Sequence, residues 1–476
     1  MPAERQTWHF GVLSFTGTGH LNPLISLAQE LKDRGHKVTF FEKPKIEDRV
    51  RQAGLEFFPV VANRFSSREK KPFSNGPGIW SEISTLRFNL KRIVHDMEGF
   101  LQETPPALKQ AGVNALIINE IALTGPTLAQ MLHLPYFIIS TSVPHNFGWD
   151  AFPWFSGYRY SSSLFSRVQN AFLEISALRL HGPISRALDK YRRRAGLGPV
   201  REIQRVFPWL AQITQLPQCL DLPRTTFPSN FYYTGPFVKT AARPSVEFPW
   251  DRLDGRPILY ASLGTTRNVQ AKVYRLIAEG CQDLGLQLVI SLGGRFEPEQ
   301  FADLPGQPLV TRFAPQLELL RIARMVITHG GPNTVFEALL EGKPMIAIPL
   351  AHDQPAVAAR LARLKIAEVL PVMRLSAKRI RTAVIKLLND ASYRDAAVEM
   401  QTILQSLHGV ECAVEVIEAA LARYAACQSG ETKPESNRLA IAGFLTTLKW
   451  FHALSPNLNG QAHEYPGPGR NTAVRR

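Results

Sequence analysis

Met325-Val326-Ile327-Thr328-His329-Gly330-Gly331-Pro332-Asn333-Thr334 decides how the chain folds. A short β-branched run breaks into a glycine pair, and Val335 to Leu340 continues with apolar residues at helical spacing, so the stretch reads as strand, turn and helix start. Backbone N–H groups in a helix's first turn lack intrahelical partners and lie at the positive end of its dipole, which suits phosphate. Gly330 and Gly331 let a ligand approach the backbone, Asn333 and Thr334 can donate from their side chains, and His329 is expected at the lip. Glu337, one turn on, would repel a diphosphate, so its expected partner is a pair of hydroxyls such as those of a ribose.

Downstream, Met345 to Leu350 reads as the next buried strand, and Asp353 and Gln354 fall just past its C-terminal end, where open α/β sheets bind ligands. Upstream, Leu309 to Gln316 offers Phe313 to stack on a flat base and Gln316 to hydrogen-bond it. Base reader, diphosphate cradle, ribose carboxylate and polar pair follow the order of a nucleotide sugar laid along strand ends. The competing reading is that the glycines and Pro332 only turn the chain between ordinary sheet elements.

These residues closely resemble the nucleotide-sugar signature of the UDP-glycosyltransferase superfamily, glycosyltransferase family 1. The matches are Phe313-x-Pro315-Gln316, His329-Gly330-Gly331-x-Asn333-Thr334-x-x-Glu337, Gly342-x-Pro344, Pro349 and Asp353-Gln354. The resemblance implies the GT-B fold, an α/β architecture of two doubly wound Rossmann-like domains facing across a cleft. It implies base contact by Phe313 and Gln316, diphosphate contact by His329, Asn333 and Thr334, ribose contact by Glu337, and sugar hydroxyls on Asp353 and Gln354. Two residues depart from the pattern: Phe313 stands where plant members usually have Trp, which keeps stacking, and Val357 where many have Asn, which removes a polar contact.

At 476 residues the chain can hold two domains with full cores, and its 45% hydrophobic and 20% charged content is that of a soluble globular protein. No apolar run reaches the ~20 residues that span a bilayer, and Glu4 and Arg5 ahead of a strand do not form a signal peptide, so a cytoplasmic location is expected. Cys219, Cys281, Cys412 and Cys427 are far apart and read as reduced thiols. The His spacing matches no ligand motif and no Asp-x-Asp pair occurs, so no metal and no other cofactor is expected beside a UDP-sugar co-substrate. The net charge of +15 is spread along the chain, with Arg192-Arg193-Arg194 its tightest group and smaller ones near Lys70-Lys71 and the C-terminus. That pattern reads as a solvated face rather than a nucleic-acid site, and leaves peripheral contact with the anionic inner face of a membrane as an expectation.

Thr7 to Phe15, the helix through Leu24, Leu27, Ala28 and Leu31, and Lys37 to Phe41 form a βαβ unit, the start of a doubly wound sheet. Gly17 and Gly19 suggest a dinucleotide fingerprint, but Asn22 occupies the third glycine's place, so a nicotinamide oxidoreductase is poorly supported. His20 follows the first strand, where an imidazole of pKa near ~6.5 can accept a proton from an attacking alcohol or can simply cap or pack. Gly19-His20-x-x-Pro23 resembles the family's catalytic motif, which implies that His20 is the general base. Its orienting acceptor in the family is commonly an Asp after the strand Ala115 to Ile118; here that place holds Asn119, followed by Glu120. Only one of two adjacent residues on an extended chain can face the ring, and Glu120 is the expected partner because it can also neutralise it.

Ser140 to Val206 reads as irregular, and Val143 to Phe155 as an aromatic loop above the cleft that suits a large apolar acceptor or covers the domain's own core; His145 lies in it. Phe207 to Pro236 resembles the carotenoid branch of the family, the zeaxanthin glucosyltransferases. The expected domains are 1–235 for the acceptor, a proline-rich linker at 236–257, 258–427 for the nucleotide sugar, and a polar extension at 428–476 whose Leu439 to Phe451 could form a short helix. Ser262, Gly264 and Thr265 form a turn after the second domain's first strand and face the phosphates, as this turn does in the family. The expected activity is inverting, metal-independent transfer of a hexose, glucose first, to a hydroxyl of a small lipophilic acceptor such as a hydroxylated carotenoid. Another polyketide, sterol or phenol as acceptor, or a catalytically silent nucleotide-sugar-binding partner protein, are the alternatives.

Overall fold

The computed structural model describes residues 7–61, 79–146, 148–158, 160–180, 182–201, 209–224, 227–239, 246–265 and 270–429. Lys70-Lys71, Phe147, Val206 to Pro208, Thr240 to Arg243, and the extension with Leu439 to Phe451 lie outside them. Residues to Ala425 form one compact unit; of the second, residues 426–429 are described.

The first unit holds two sheets of parallel strands. One contains β1 His9–Leu13, β2 Lys37–Glu42, β3 Glu56–Pro59, β4 Ala115–Asn119, β5 Tyr136–Ser140, β6 Ala211–Thr214 and β7 Phe231–Tyr233, in the order β3-β2-β1-β4-β5-β6-β7. The other contains β8 Ile258–Ser262, β9 Gln287–Ser291, β10 Leu309–Thr311, β11 Ala323–Thr328, β12 Met345–Ala347 and β13 Ala367–Val369, in the order β10-β9-β8-β11-β12-β13. Every residue of β1, β4, β5, β8 and β9 is buried, as strands covered by helices on both faces must be. Packing there is close: a Cβ on Gly11 of β1 would lie 2.9 Å from methyls of Leu108 and Leu116. This is the expected pair of doubly wound Rossmann-like domains.

Each sheet reverses its strand order once, and such reversals open a crevice at the strands' C-terminal ends. Between β1 and β4 that crevice receives Gly19 and His20 from one side and Asn119 from the other. Between β8 and β11 it receives Ser262 to Thr265 and His329 to Thr334.

Two segments differ from expectation. Ser140 to Val206 is not merely irregular: it contains helices Leu164–Leu180 and Gly182–Arg194. In the second, Ile184, Leu188 and Arg192 point inward at four-residue spacing, and the Arg192 guanidinium donates to Gly198 O (2.6 Å) and Thr127 Oγ1 (3.3 Å). An arginine used as a core residue hides the helical period from a sequence reading. The strand expected to reach Leu350 stops at Ala347, because Pro349 has no N–H for the ladder.

The final helix, Gly409–Gln428, crosses back to the first sheet's side. Arg34 donates to Glu418 Oε2 (3.0 Å) and Glu411 O (3.2 Å), and His36 lies 3.4 Å from Glu418 Oε1. A buried ion pair ties the halves elsewhere. Arg360, on helix Gln354–Arg363, donates through Nε (2.9 Å) and Nη2 (2.7 Å) to Asp221, which lies between β6 and β7 and also accepts from Tyr233 OH (2.8 Å).

Candidate active site

Helix Pro332–Leu340 starts at Gly331 with no side-chain cap and no acid in its first turn. Pro332 lacks an N–H, and the amides of Asn333 and Thr334 have no intrahelical acceptors. Helix Thr18–Asp33 starts the same way at Gly17, again without a side-chain cap or an acid in the first turn. The two starts meet across the cleft: Asn333 Nδ2 donates to Gly19 O (2.9 Å), and Thr18 and Thr265 share a hydroxyl hydrogen bond (2.8 Å). Two positive helix ends thus converge with no carboxylate in either first turn, an arrangement that an anion between them would stabilise. Asn333, expected on the diphosphate, is also held by Gln215, whose Nε2 donates to its Oδ1 (3.0 Å).

His329 is not at the lip. Its ring is buried between Gly264 and Gly331: a Cβ on Gly264, whose φ is +69°, would lie 2.6 Å from the ring, and one on Gly331 would also collide with it. Burial pulls its pKa down to about 4 against a backbone hydrogen bond with Ser262. The ring is therefore a neutral imidazole near pH 7 rather than a standing cation. Its Nδ1 is buried without a hydrogen-bond partner.

The residues expected to read base and ribose form one network. Glu337 is buried and accepts from Gln316 Nε2 (2.6 Å), and Tyr260 OH donates to Gln316 Oε1 (3.2 Å). Phe313 is partly exposed and rests on Gly294, where a Cβ would strike the ring and where φ is +75°. Gly293-Gly294 after β9 was missed from the sequence, although its glycine pair after a strand repeats the signal of Gly330-Gly331.

Beyond β12, Gln354 is buried and its Oε1 accepts from Leu350 N (2.8 Å) and Ala351 N (3.0 Å). Its carbonyl end braces its own loop, so only the amide nitrogen can serve the expected sugar contact. The preceding His352 adopts the left-handed conformation (φ +59°), which turns the loop. Asp353 lies beside Ser142 of the first domain, and burial raises its carboxyl pKa against the lowering influence of that hydroxyl and of the nearby His145 and His352.

His20 Nδ1 lies 2.7 Å from Thr141 Oγ1, and Thr141 Oγ1 in turn accepts from Asn119 Nδ2 (3.1 Å). The expected partner, Glu120, faces the other way: its carboxylate accepts from His145 N (2.9 Å) and Gln212 Nε2 (3.1 Å). Asn119 is the last residue of β4 and points into the crevice, so the pleat sends Glu120 to the opposite side. A hydroxyl oxygen has two lone pairs, so Thr141 can accept from both Asn119 and His20 Nδ1–H and leave Nε2 as the basic nitrogen. Burial, then the neighbouring His145 and His352, lower the His20 pKa to about 4. Replacing Thr141 with valine, of similar shape but without the hydroxyl, is expected to lower kcat between about tenfold and a hundredfold with KM for the donor little changed. Steady-state kinetics would check this.

Two facing Rossmann-like domains, the second with an uncapped, glycine-marked helix start at its switch point, are the architecture of a glycosyltransferase of the GT-B type. Residues 85–419 match the family described as UDP-glucoronosyl and UDP-glucosyl transferase, and the chain belongs to it: it is a UDP-sugar-dependent hexosyltransferase. Residues 12–129 also match the N-terminal domain of glycosyltransferase family 28. The zeaxanthin glucosyltransferase of Pantoea ananas is 28% identical over 424 residues, covering 86% of this chain and 95% of that protein. The zeaxanthin glucosyltransferase of Pseudescherichia vulneris is 30% identical over 366 residues, covering 74% and 84%. The crystal structure of the calicheamicin glycosyltransferase CalG4 has a TM-score of 0.67 at 24% identity, covering 88% of this chain and all of that one, a likeness of fold. The resemblance to the superfamily and its carotenoid branch is thereby borne out.

Proposed function

We propose that the chain transfers glucose, with inversion and without a metal, from UDP-glucose to a hydroxyl of a lipophilic acceptor of the hydroxylated-carotenoid class. One observation carries the reading: Thr141 of the first half holds His20 and the next residue, Ser142, lies beside Asp353 of the second, so proton acceptor and sugar-facing carboxylate come to one place from opposite halves. The acceptor oxygen attacks the anomeric carbon as its bond to the diphosphate breaks, and His20 Nε2 takes the hydroxyl proton. The leaving diphosphate carries its charge into the two helix starts and toward His329. The zeaxanthin glucosyltransferase relatives support the acceptor class. Purified protein incubated with UDP-glucose and zeaxanthin should release UDP and yield the glucoside by mass spectrometry. No UDP release with zeaxanthin, while a polyketide or phenol supports it, would overturn the acceptor.

Transfer is expected to persist in excess chelator, since helix amides and an imidazole supply the stabilisation a cation would otherwise give. Among the described residues no group of three or more His, Cys, Asp and Glu is placed to bind a metal. A chelator-sensitive rate restored by Mg²⁺ would refute metal independence.

A further inference from the structure

The helix Leu164–Leu180 is turned inside out for a surface facing water. Leu164, Phe165, Val168, Phe172 and Ile175 fall within roughly 100° of arc at helical spacing, and they are 77, 78, 61, 69 and 45% exposed. Asn170 and Glu174, on the opposite face, are buried. Asn170 Nδ2 donates to Trp149 O (3.3 Å), and burial pushes the Glu174 carboxyl up to about 7. A contiguous exposed apolar stripe marks a docking face.

Charge says what docks. The next helix, Gly182–Arg194, leaves Arg186, Lys190, Arg193 and Arg194 exposed, and Arg167 and Arg179 are exposed on the apolar helix itself. The acids of the two helices are Glu174, which is buried, and Asp189, whose carboxylate accepts from Val200 N (2.7 Å). An apolar stripe beside cations, with both acids engaged inward, on a chain of net charge +15, fits an anionic lipid surface.

The geometry points to the Leu164–Leu180 helix as a membrane contact that lies in the headgroup plane, Phe165 and Phe172 entering the acyl boundary and the arginines meeting lipid phosphates. Through Asn170 and Trp149 the helix is joined to the segment that carries His145, on the acceptor side of the cleft. Resting on the proposed acceptor class, this docking would deliver a lipophilic acceptor from the bilayer without a passage through water.

Flotation of the full chain with vesicles of phosphatidylcholine, with and without phosphatidylglycerol, tests the contact in the absence of any sugar donor, so failure of the acceptor reading would leave its result untouched. The chain is expected to float with the phosphatidylglycerol vesicles at low salt and to be released by high salt. Phe165→Asp with Phe172→Asp should reduce bound protein by about tenfold or more, with an unchanged melting temperature and unchanged UDP release toward a water-soluble acceptor. Arg193→Gln with Arg194→Gln should remove the preference for phosphatidylglycerol. Absence of wild-type flotation, or flotation of the double aspartate variant equal to wild type, would overturn the proposal. So would a concentration-dependent dimer in sedimentation that the aspartate variant dissociates without any effect of lipid, because a second copy would then be what covers the stripe.

Discussion

Replacing His20 with alanine is expected to lower turnover by about 10²- to 10⁴-fold while UDP-sugar affinity, read by calorimetry, stays nearly intact. The ring touches Thr141 and lies edge-on to Phe15, both in the first half, whereas the cradle of Gly330 to Thr334 and Glu337 is built by the second. Equal losses of rate and affinity would make His20 structural. The pH profile gives a second reading of the same residue. An imidazole works as a base only when neutral, so the rate is lost as pH falls through its pKa, and desolvation places that pKa at about 4. The acid limb of kcat/KM is therefore expected near pH 4, well below the ~6.5 of an exposed imidazole. A limb at the ordinary value would mean that a carboxylate reaches the ring, the role once expected of Glu120.

Asp221→Ala should be strongly destabilising, at about 3 to 5 kcal/mol. It leaves the fully buried Arg360 guanidinium without its carboxylate and takes the acceptor from Tyr233 OH. Chemical denaturation would measure the loss. Removing both charges together, with Asp221→Leu and Arg360→Met, should recover much of it, since a well-packed apolar pair avoids the uncompensated charge. Arg360 lies on the helix that opens with Asp353 and Gln354, so the single variant should also raise KM for the donor. An Asp221→Ala protein as stable as the parent would mean that the pair relaxes into water.

The arrangement of the expected donor side was legible because its parts are local. Strand, glycine pair and helix start are adjacent in sequence, and Phe313, Gln316 and Glu337 fall at spacings that the turns between them carry unchanged. The acceptor side was less so, because its partners come from distant segments. Thr141 reaches His20 across 121 positions and Gln215 reaches Asn333 across 118, and nothing in the run around either residue marks it. The choice between Asn119 and Glu120 turned on the pleat at the end of β4, a one-residue matter that chemical preference answered wrongly and geometry answered directly. The helix Leu164–Leu180 escaped for a different reason. Its apolar residues keep helical spacing, but they face outward while Asn170 and Glu174 face in, so burial and polarity give opposite signals.

The final helix belongs to the second half by sequence and to the first by touch, through Arg34, His36 and Glu418. Natural or engineered recombination that swaps acceptor halves between relatives would therefore need two crossovers, one between β7 and β8 and one ahead of Gly409. A chimera joined at the first alone would face its new partner with a foreign strap, and its two halves would be mismatched at the opposite end of helix Thr18–Asp33 from His20.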